Sequence, residues 1–309
     1  MTDAVVPDAA RMGESSGIPP SAHAARARRG RFNLFALLGP PVAWMLIIYL
    51  GSLALLVVLS VFTLDPSTQK ATSELTLDNL RTAFTVGEFL RVVWRSVFTA
   101  ALVTVLCFLI AMPVAYYVAK IAKRWARRGL IVALLLPLWA GYLVKGYAWK
   151  AMLRPASSFG VDTNGGFLAS TIGWTPGFGY AAVVIALTYL WLPYMVLPIY
   201  AGLDRLPPSL LDAAGDLGAK PMRTFRSVVL PLLVPSIAAG SIFTFSLSLG
   251  DYIIPKIVSE GKVRLLGSLI ESTLLAPNQP LAAAFTLWPL LIIVAYLIGM
   301  KRLGAFDEV

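Results

Sequence analysis

Six stretches of the chain run without any Asp, Glu, Lys or Arg: 32–64, 96–119, 129–144, 163–203, 227–250 and 272–300. A helix that crosses a bilayer takes about 20 mostly apolar residues. The third gap is short, but Lys145 leads into Gly146, Tyr147, Ala148 and Trp149. A lysine in such company can snorkel to the interface, so the helix is expected to continue past it. The fourth gap opens on Gly165, Gly166, Gly173, Pro176, Gly177 and Gly179, which reads as a loop, so its helix is expected from Tyr180. The pattern predicts spans near 35–62, 96–119, 129–150, 180–202, 229–251 and 281–300. Short alternating strands are lacking, and open sheet edges cannot persist in lipid, so the spans are helical. The predicted class is an all-α membrane protein with six transmembrane helices.

Composition agrees. Of the 309 residues 58% are hydrophobic and 14% charged, against about 45–50% and about 25% in a soluble domain. Soluble enzymes are thereby largely excluded. The net charge of +10 is first a topology signal, because Lys and Arg collect on the cytoplasmic side. With the N-terminus inside, sixteen of the 26 basic residues fall on inner segments, five of them between Lys120 and Arg128. Both termini are therefore expected in the cytoplasm, and nucleic acid is not expected as a partner. Membrane lipid is. A lone cysteine, Cys107, cannot form an intramolecular disulfide, and the single histidine, His23, leaves no basis for a His-centred catalytic or metal site.

Residues 1–31 carry Ala, Ser, Gly, Pro and Arg with few large apolar side chains, and read as a disordered cytoplasmic tail. The apolar stretch that follows is too long for a signal peptide and is expected to stay as the first helix. Residues 32–309 form one transmembrane domain.

The segment 206–231 does not read as a plain connection, which would take about two to eight residues. Ser209 can cap a helix, with Asp212 at the capping-box position. Leu210, Ala213, Ala214 and Leu217 follow at helical spacing. Gly218 suits a helix end and Pro221 a new start. The expected object is a short helix, a turn and a second helix at the cytoplasmic surface, leading into the membrane at Pro231.

Asp212-Ala213-Ala214, then Gly218, Val228 and Leu230-Pro231, resembles the EAA loop of permease subunits of binding-protein-dependent ABC importers. About 20 residues match with every anchor in register; Asp212 stands where Glu is usual, and Val228 where Ile is common. The resemblance implies a type I importer permease fold in a bacterial inner membrane. It also implies that Asp212, Ala213, Ala214, Gly218, Ala219 and Phe225 dock on a cytoplasmic ABC ATPase dimer. A second permease, forming a heterodimer, and an extracytoplasmic solute-binding protein complete the complex. Further stretches are similar to the spermidine/putrescine permeases: Leu75 to Leu80, Pro137 to Trp139, Lys145 to Trp149, Leu192 to Pro198 and Leu249 to Pro255. Permeases for opines and phosphonate-type solutes share much of these.

No phosphate-cradling G-x-x-x-x-G-K-[ST] string is present. The chain is thus expected to hold no cofactor and catalyse no reaction, with ATP and Mg bound by the partner ATPase. A polyamine path needs carboxylates and aromatic faces. Asp251 follows 24 uncharged residues and Tyr252 adjoins it; the resemblance places a gate there, the alternative being an ordinary interfacial acid. Trp139 and Tyr142, three apart, are expected on one face of the third helix; Tyr189, Trp191 and Tyr194 crowd the fourth. Belt aromatics at helix ends are the competing reading. Glu260 and Glu271 read as solvated loop acids. An ion-driven secondary transporter is disfavoured by charge-free helix centres and the lack of a repeat; a scaffold or receptor would leave the EAA-like segment unexplained.

Overall fold

The computed structural model describes the backbone of residues 20–65, 71–158, 161–162, 165–276 and 278–302. The chain divides into two compact units, 1–55 and 56–309, each described by itself.

The first unit contains most of α1 (Pro20–Ser60), a helix that carries Pro40 and Pro41 in its interior. Helical backbone begins at Pro20, inside the tail expected for 1–31, while residues 1–19 lie outside the described residues. The run Ala22 to Arg29 is built of Ala and Arg with one histidine, and the strong helix propensity of Ala and Arg moves that boundary forward.

In the second unit a two-stranded ribbon, β1 (Phe62–Leu64) with β2 (Ala71–Leu75), leads to α2 (Asp78–Thr85) and the long α3 (Gly87–Tyr116). A π-helical turn, Tyr117–Ile121, extends α3. Next come α4 (Arg124–Trp139), α5 (Tyr142–Leu153), α6 (Phe167–Ile172) and α7 (Tyr180–Arg205). They are followed by α8 (Pro208–Asp216) and α9 (Pro221–Thr224), a second π-helical turn at Phe225–Val229, and α10 (Leu230–Gly250). The chain closes through α11 (Ile253–Ser259), α12 (Leu266–Leu275) and α13 (Gln279–Arg302).

Among the described residues five helices are long and apolar enough to cross a membrane, and six if the bent pair α4 and α5 is one span. That pair corrects the expected continuous helix over 129–150. Ala140 and Gly141 adopt extended backbone (ψ 135° and 141°), and the two helices meet at 97°. Pro137 lies just before the break, where its ring weakens the preceding turn.

The core is centred on α7, which packs between α3 and α10. Ala182, Val183, Ala186, Leu187, Met195, Val196, Ile199 and Leu203 are fully buried along it. Small residues permit the close approach, as in other membrane helix pairs: a Cβ at Gly240 of α10 would lie 2.8 Å from Met195 Sδ. Hydroxyls on these helices turn back to their own backbone, as Thr104 does to Ala100, Thr188 to Val184 and Thr244 to Gly240. These three donors are therefore paired in an apolar setting, whereas Ser248 Oγ on α10 is buried without a partner among the described residues. A second cluster joins α2, α12 and α13, with Trp288 stacked on Phe84 and its indole N–H donating to the Ala83 carbonyl.

Candidate functional site

Two regions at opposite ends of one helical run carry the residues singled out by sequence. From Pro221 to Gly250 the helix is 30 residues long, about 45 Å at 1.5 Å per residue.

At its first end lies the segment 206–231. Helix α8 begins at Pro208 without a side-chain cap, so the expected Ser209–Asp212 capping box does not form. Pro208 takes the first helical position, where its fixed φ suits a helix start, so Ser209 falls inside the first turn and is not the cap. The C-terminus follows expectation. Gly218 takes φ +73°, the Ala219 N–H donates to the Ala214 carbonyl at 3.0 Å, and the Gly218 N–H to Gly215 at 2.8 Å. That pair of bonds is a Schellman turn, and its left-handed position favours glycine.

The expected single stripe of Leu210, Ala213, Ala214 and Leu217 divides in two. Ala214 is buried and Leu211 half-buried, whereas Leu210 and Ala213 are exposed and Leu217 is 88% exposed. Asp212 and Gly218 are exposed with them; Ala219 and Phe225 are half-buried. Met222 adds another exposed apolar side chain. The second helix is not separate, since α9 passes through the π-helical turn directly into α10. The result is a short helix presenting Asp212, Ala213 and Leu217 outward on a rigid turn.

Sequence reasoning missed what braces this segment. Lys120 Nζ donates to the Leu206 carbonyl at 2.9 Å. Arg127 donates to the Tyr200 hydroxyl through Nε at 2.8 Å and Nη2 at 2.6 Å, and pairs with Asp204. Its guanidinium also lies over the Tyr200 ring, 5.3 Å from the centroid. The basic run 120–128, legible as a topology signal, thus also ties α4 and the π-helical turn to the end of α7.

At the far end of α10 the helix breaks at Asp251 and Tyr252 before α11 resumes. A cavity of about 310 Å³ opens there, lined by Tyr142, Trp191, Ser246, Leu247, Gly250, Asp251, Tyr252 and Ile253. The Tyr142 and Trp191 rings stack at 5.9 Å, and Tyr194 meets Trp191 edge-on at 5.8 Å. Tyr252, which also lines the cavity, is 40% exposed. Trp191 was legible only as one of a crowd of aromatics; its indole N–H is buried without an acceptor.

Trp139 is not part of this group. The bend after it separates it from Tyr142, and it is 92% exposed beside Val132, Leu135 and Leu136. Tyr189 packs against Trp149 instead of Trp191. Nor are the outer acids free in loops. Glu260 pairs with Lys150 at 3.2 Å, and Glu271, on α12, accepts from Lys256 at 2.6 Å. The Glu271 carboxylate holds the Lys256 ammonium above the ordinary lysine range.

Over residues 31–303 the sequence matches the family described as binding-protein-dependent transport system inner membrane component. The chain belongs to this family. The permease is 41% identical over 293 residues to the inner membrane ABC transporter permease protein YdcU of Escherichia coli (strain K12), covering 89% of this chain and 91% of that one. It is 32% identical over 263 residues to the spermidine/putrescine transport system permease protein PotB of Haemophilus influenzae, covering 82% and 90%. In fold it resembles a chain of a bacterial ABC transporter involved in the import of the acidic polysaccharide alginate. That likeness has a TM-score of 0.67 and 16% identity, and covers 91% and 99% of the two chains. The permease therefore has the type I importer fold and is a multi-pass bacterial inner-membrane protein, the subunit of an ABC importer.

Proposed function

We propose that this permease forms half of a translocation path for polyamines such as spermidine or putrescine. The observation that carries the reading is the cavity at the break of α10, which Tyr142, Trp191 and Tyr252 line and where Tyr142 stacks on Trp191. A flexible polycation with methylene spacers is held well by aromatic faces through cation–π contact. The 32% identity to a spermidine/putrescine permease supports the same class.

In this reading a different permease supplies the other half of the path, and a solute-binding protein delivers the polyamine from outside. Both termini lie in the cytoplasm. An ABC ATPase dimer, which binds ATP and Mg, receives α8 through Asp212, Ala213, Ala214, Gly218, Ala219 and Phe225. Its closure on ATP is passed along the rigid run Pro221–Gly250 and rocks the helices between inward- and outward-open states.

The test is reconstitution of the complete complex in vesicles, after calorimetry has identified what its binding protein holds. ATP-dependent uptake of spermidine or putrescine is the expected result. Uptake of an opine or phosphonate-type solute, with no polyamine transported, would overturn the substrate class. Uptake that persisted without the ATPase would overturn the mechanism.

A further inference from the structure

The Asp251 carboxylate is 7% exposed although it borders the cavity. Its Oδ1 accepts the backbone N–H groups of Ile253 at 3.0 Å and Ile254 at 3.1 Å, and its Oδ2 accepts the Tyr142 hydroxyl. A carboxylate offers about four lone-pair sites, and three here are directed into the protein. Its charge is already met by two amide dipoles and a phenol. A cationic solute in the cavity would find at most one lone-pair site of Asp251 left, unless it displaced the Tyr142 hydroxyl.

The surroundings explain why that bond matters. Tyr142 is the first residue of α5, directly after the 97° bend, so its hydroxyl anchors the point where α5 starts. Further along α5, Gly146 lets the helix lie against α11, since a Cβ there would stand 3.0 Å from Ile254 Cδ1. The start of α12 closes the other side. A Cβ at Gly267 would fall 2.7 Å from the Gly250 carbonyl oxygen, and the Leu266 N–H donates to Ser96 of α3 at 2.7 Å. The break in α10 is therefore gripped by α5, α11 and α12, and the contact of α5 with Asp251 itself is the Tyr142 hydrogen bond. The same Tyr142 ring stacks on Trp191 of α7, so this one phenol joins three walls of the cavity.

We propose that Asp251 is a positioning residue: through the Tyr142 hydroxyl it latches α5 to the break between α10 and α11, and so sets how far the aromatic cavity opens. Asp251 acts through Tyr142 and does not ligate the transported solute. The inference rests on the reading that this cavity lies on the transport path.

The complete complex in vesicles, with its own binding protein and the solute that protein carries, tests the latch in Asp251→Asn, Asp251→Ala and Tyr142→Phe. An asparagine oxygen still accepts from Ile253 and Ile254, and its amide nitrogen can donate to the Tyr142 oxygen. Asp251→Asn is expected to keep the maximal uptake rate within about twofold, while Tyr142→Phe lowers it about tenfold, the loss of one hydrogen bond to a charged group, and Asp251→Ala, which loses all three, lowers it at least as much. Half-saturation by loaded binding protein stays unchanged in all three. Thiol labelling of a Ser246→Cys reporter on the cavity wall needs no assignment of solute. It speeds up about tenfold in Asp251→Ala and Tyr142→Phe and little in Asp251→Asn, as expected of a local opening. Tyr142→Phe retains the ring and carries the test where Asp251→Ala fails to assemble. If Asp251→Asn is as damaged as Asp251→Ala, the negative charge itself is needed and the latch is overturned. Labelling that is unchanged in every variant overturns it as well. If wild-type vesicles take up no polyamine, the substrate reading fails while the labelling result still decides the latch.

Discussion

The ammonium of Lys120 donates to the carbonyl of Leu206 at 2.9 Å, joining the π-helical turn after α3 to the residue that ends α7. Leu206 is also where the segment carrying α8 begins, so this bond sets the root of that segment. Lys120→Met keeps the length of the side chain and removes the donor. The expected cost is about 1 kcal/mol, seen as a lower melting temperature of the purified permease. In the reconstituted complex more ATP should be hydrolysed for each solute imported. An unchanged ratio would show that the root of α8 need not be held.

The Schellman turn makes a separate prediction. At Gly218 the obstacle to a side chain is φ +73°, not space, because nothing lies within 4 Å of a Cβ built there. Gly218→Ala should destabilise the isolated permease by roughly 1 kcal/mol. Gly215→Ala, inside helix α8 and also in open space, should be neutral or stabilising. Gly218→Leu is expected to uncouple ATP hydrolysis from uptake in the full complex. Transport that survived unchanged would remove α8 and its turn from the coupling path.

Packing between α7 and α10 predicts a purely structural failure. A Cβ at Gly240 would stand 2.8 Å from Met195 Sδ and 3.2 Å from the Met195 backbone. The sulfur can move, the backbone cannot, so Gly240→Val should cost about 1–3 kcal/mol by overpacking. Thermal denaturation in detergent reads this directly, and a melting temperature equal to wild type would contradict the close approach.

At the other end of α10, Gly267→Ala places a methyl group against the Gly250 carbonyl and the Asp251 backbone. Those atoms belong to the cavity wall, so uptake should fall several-fold while the subunits still co-purify. Normal uptake would show that this part of the wall yields without consequence.

Lys256 is exposed and its partner Glu271 half-buried, and the behaviour of the pair with pH follows from the direction of the lysine shift. The folded value lies above the ordinary one. Its contribution is therefore fully present below the ordinary lysine pKa and fades as pH rises through the folded value. Because water and salt screen such a pair, Lys256→Met should leave the melting temperature nearly unchanged at neutral pH. A large drop would mean that the pair is shielded in the assembled protein.

The runs without charge and the helix stop at Gly218 were legible because they depend on neighbours in the chain. Lipid imposes one length on every spanning helix, and a left-handed turn demands glycine whatever surrounds it. The same local logic placed the start of α7 at Tyr180. It failed where distant elements compete. Trp139 and Tyr142 are three apart and would share a face of one helix, yet a 97° bend sends one toward Leu136 and the other to Asp251. The bonds of Asp251 to the Ile253 and Ile254 N–H groups are local, but no local signal tells that its other oxygen meets Tyr142, which is 109 residues away. The chain by itself determined that the protein spans the membrane and carries an EAA-like segment, since both follow from short-range spacing. Which aromatics meet, and whether an acid faces a cavity or braces it, was decided only when α5, α7, α10 and α12 packed together.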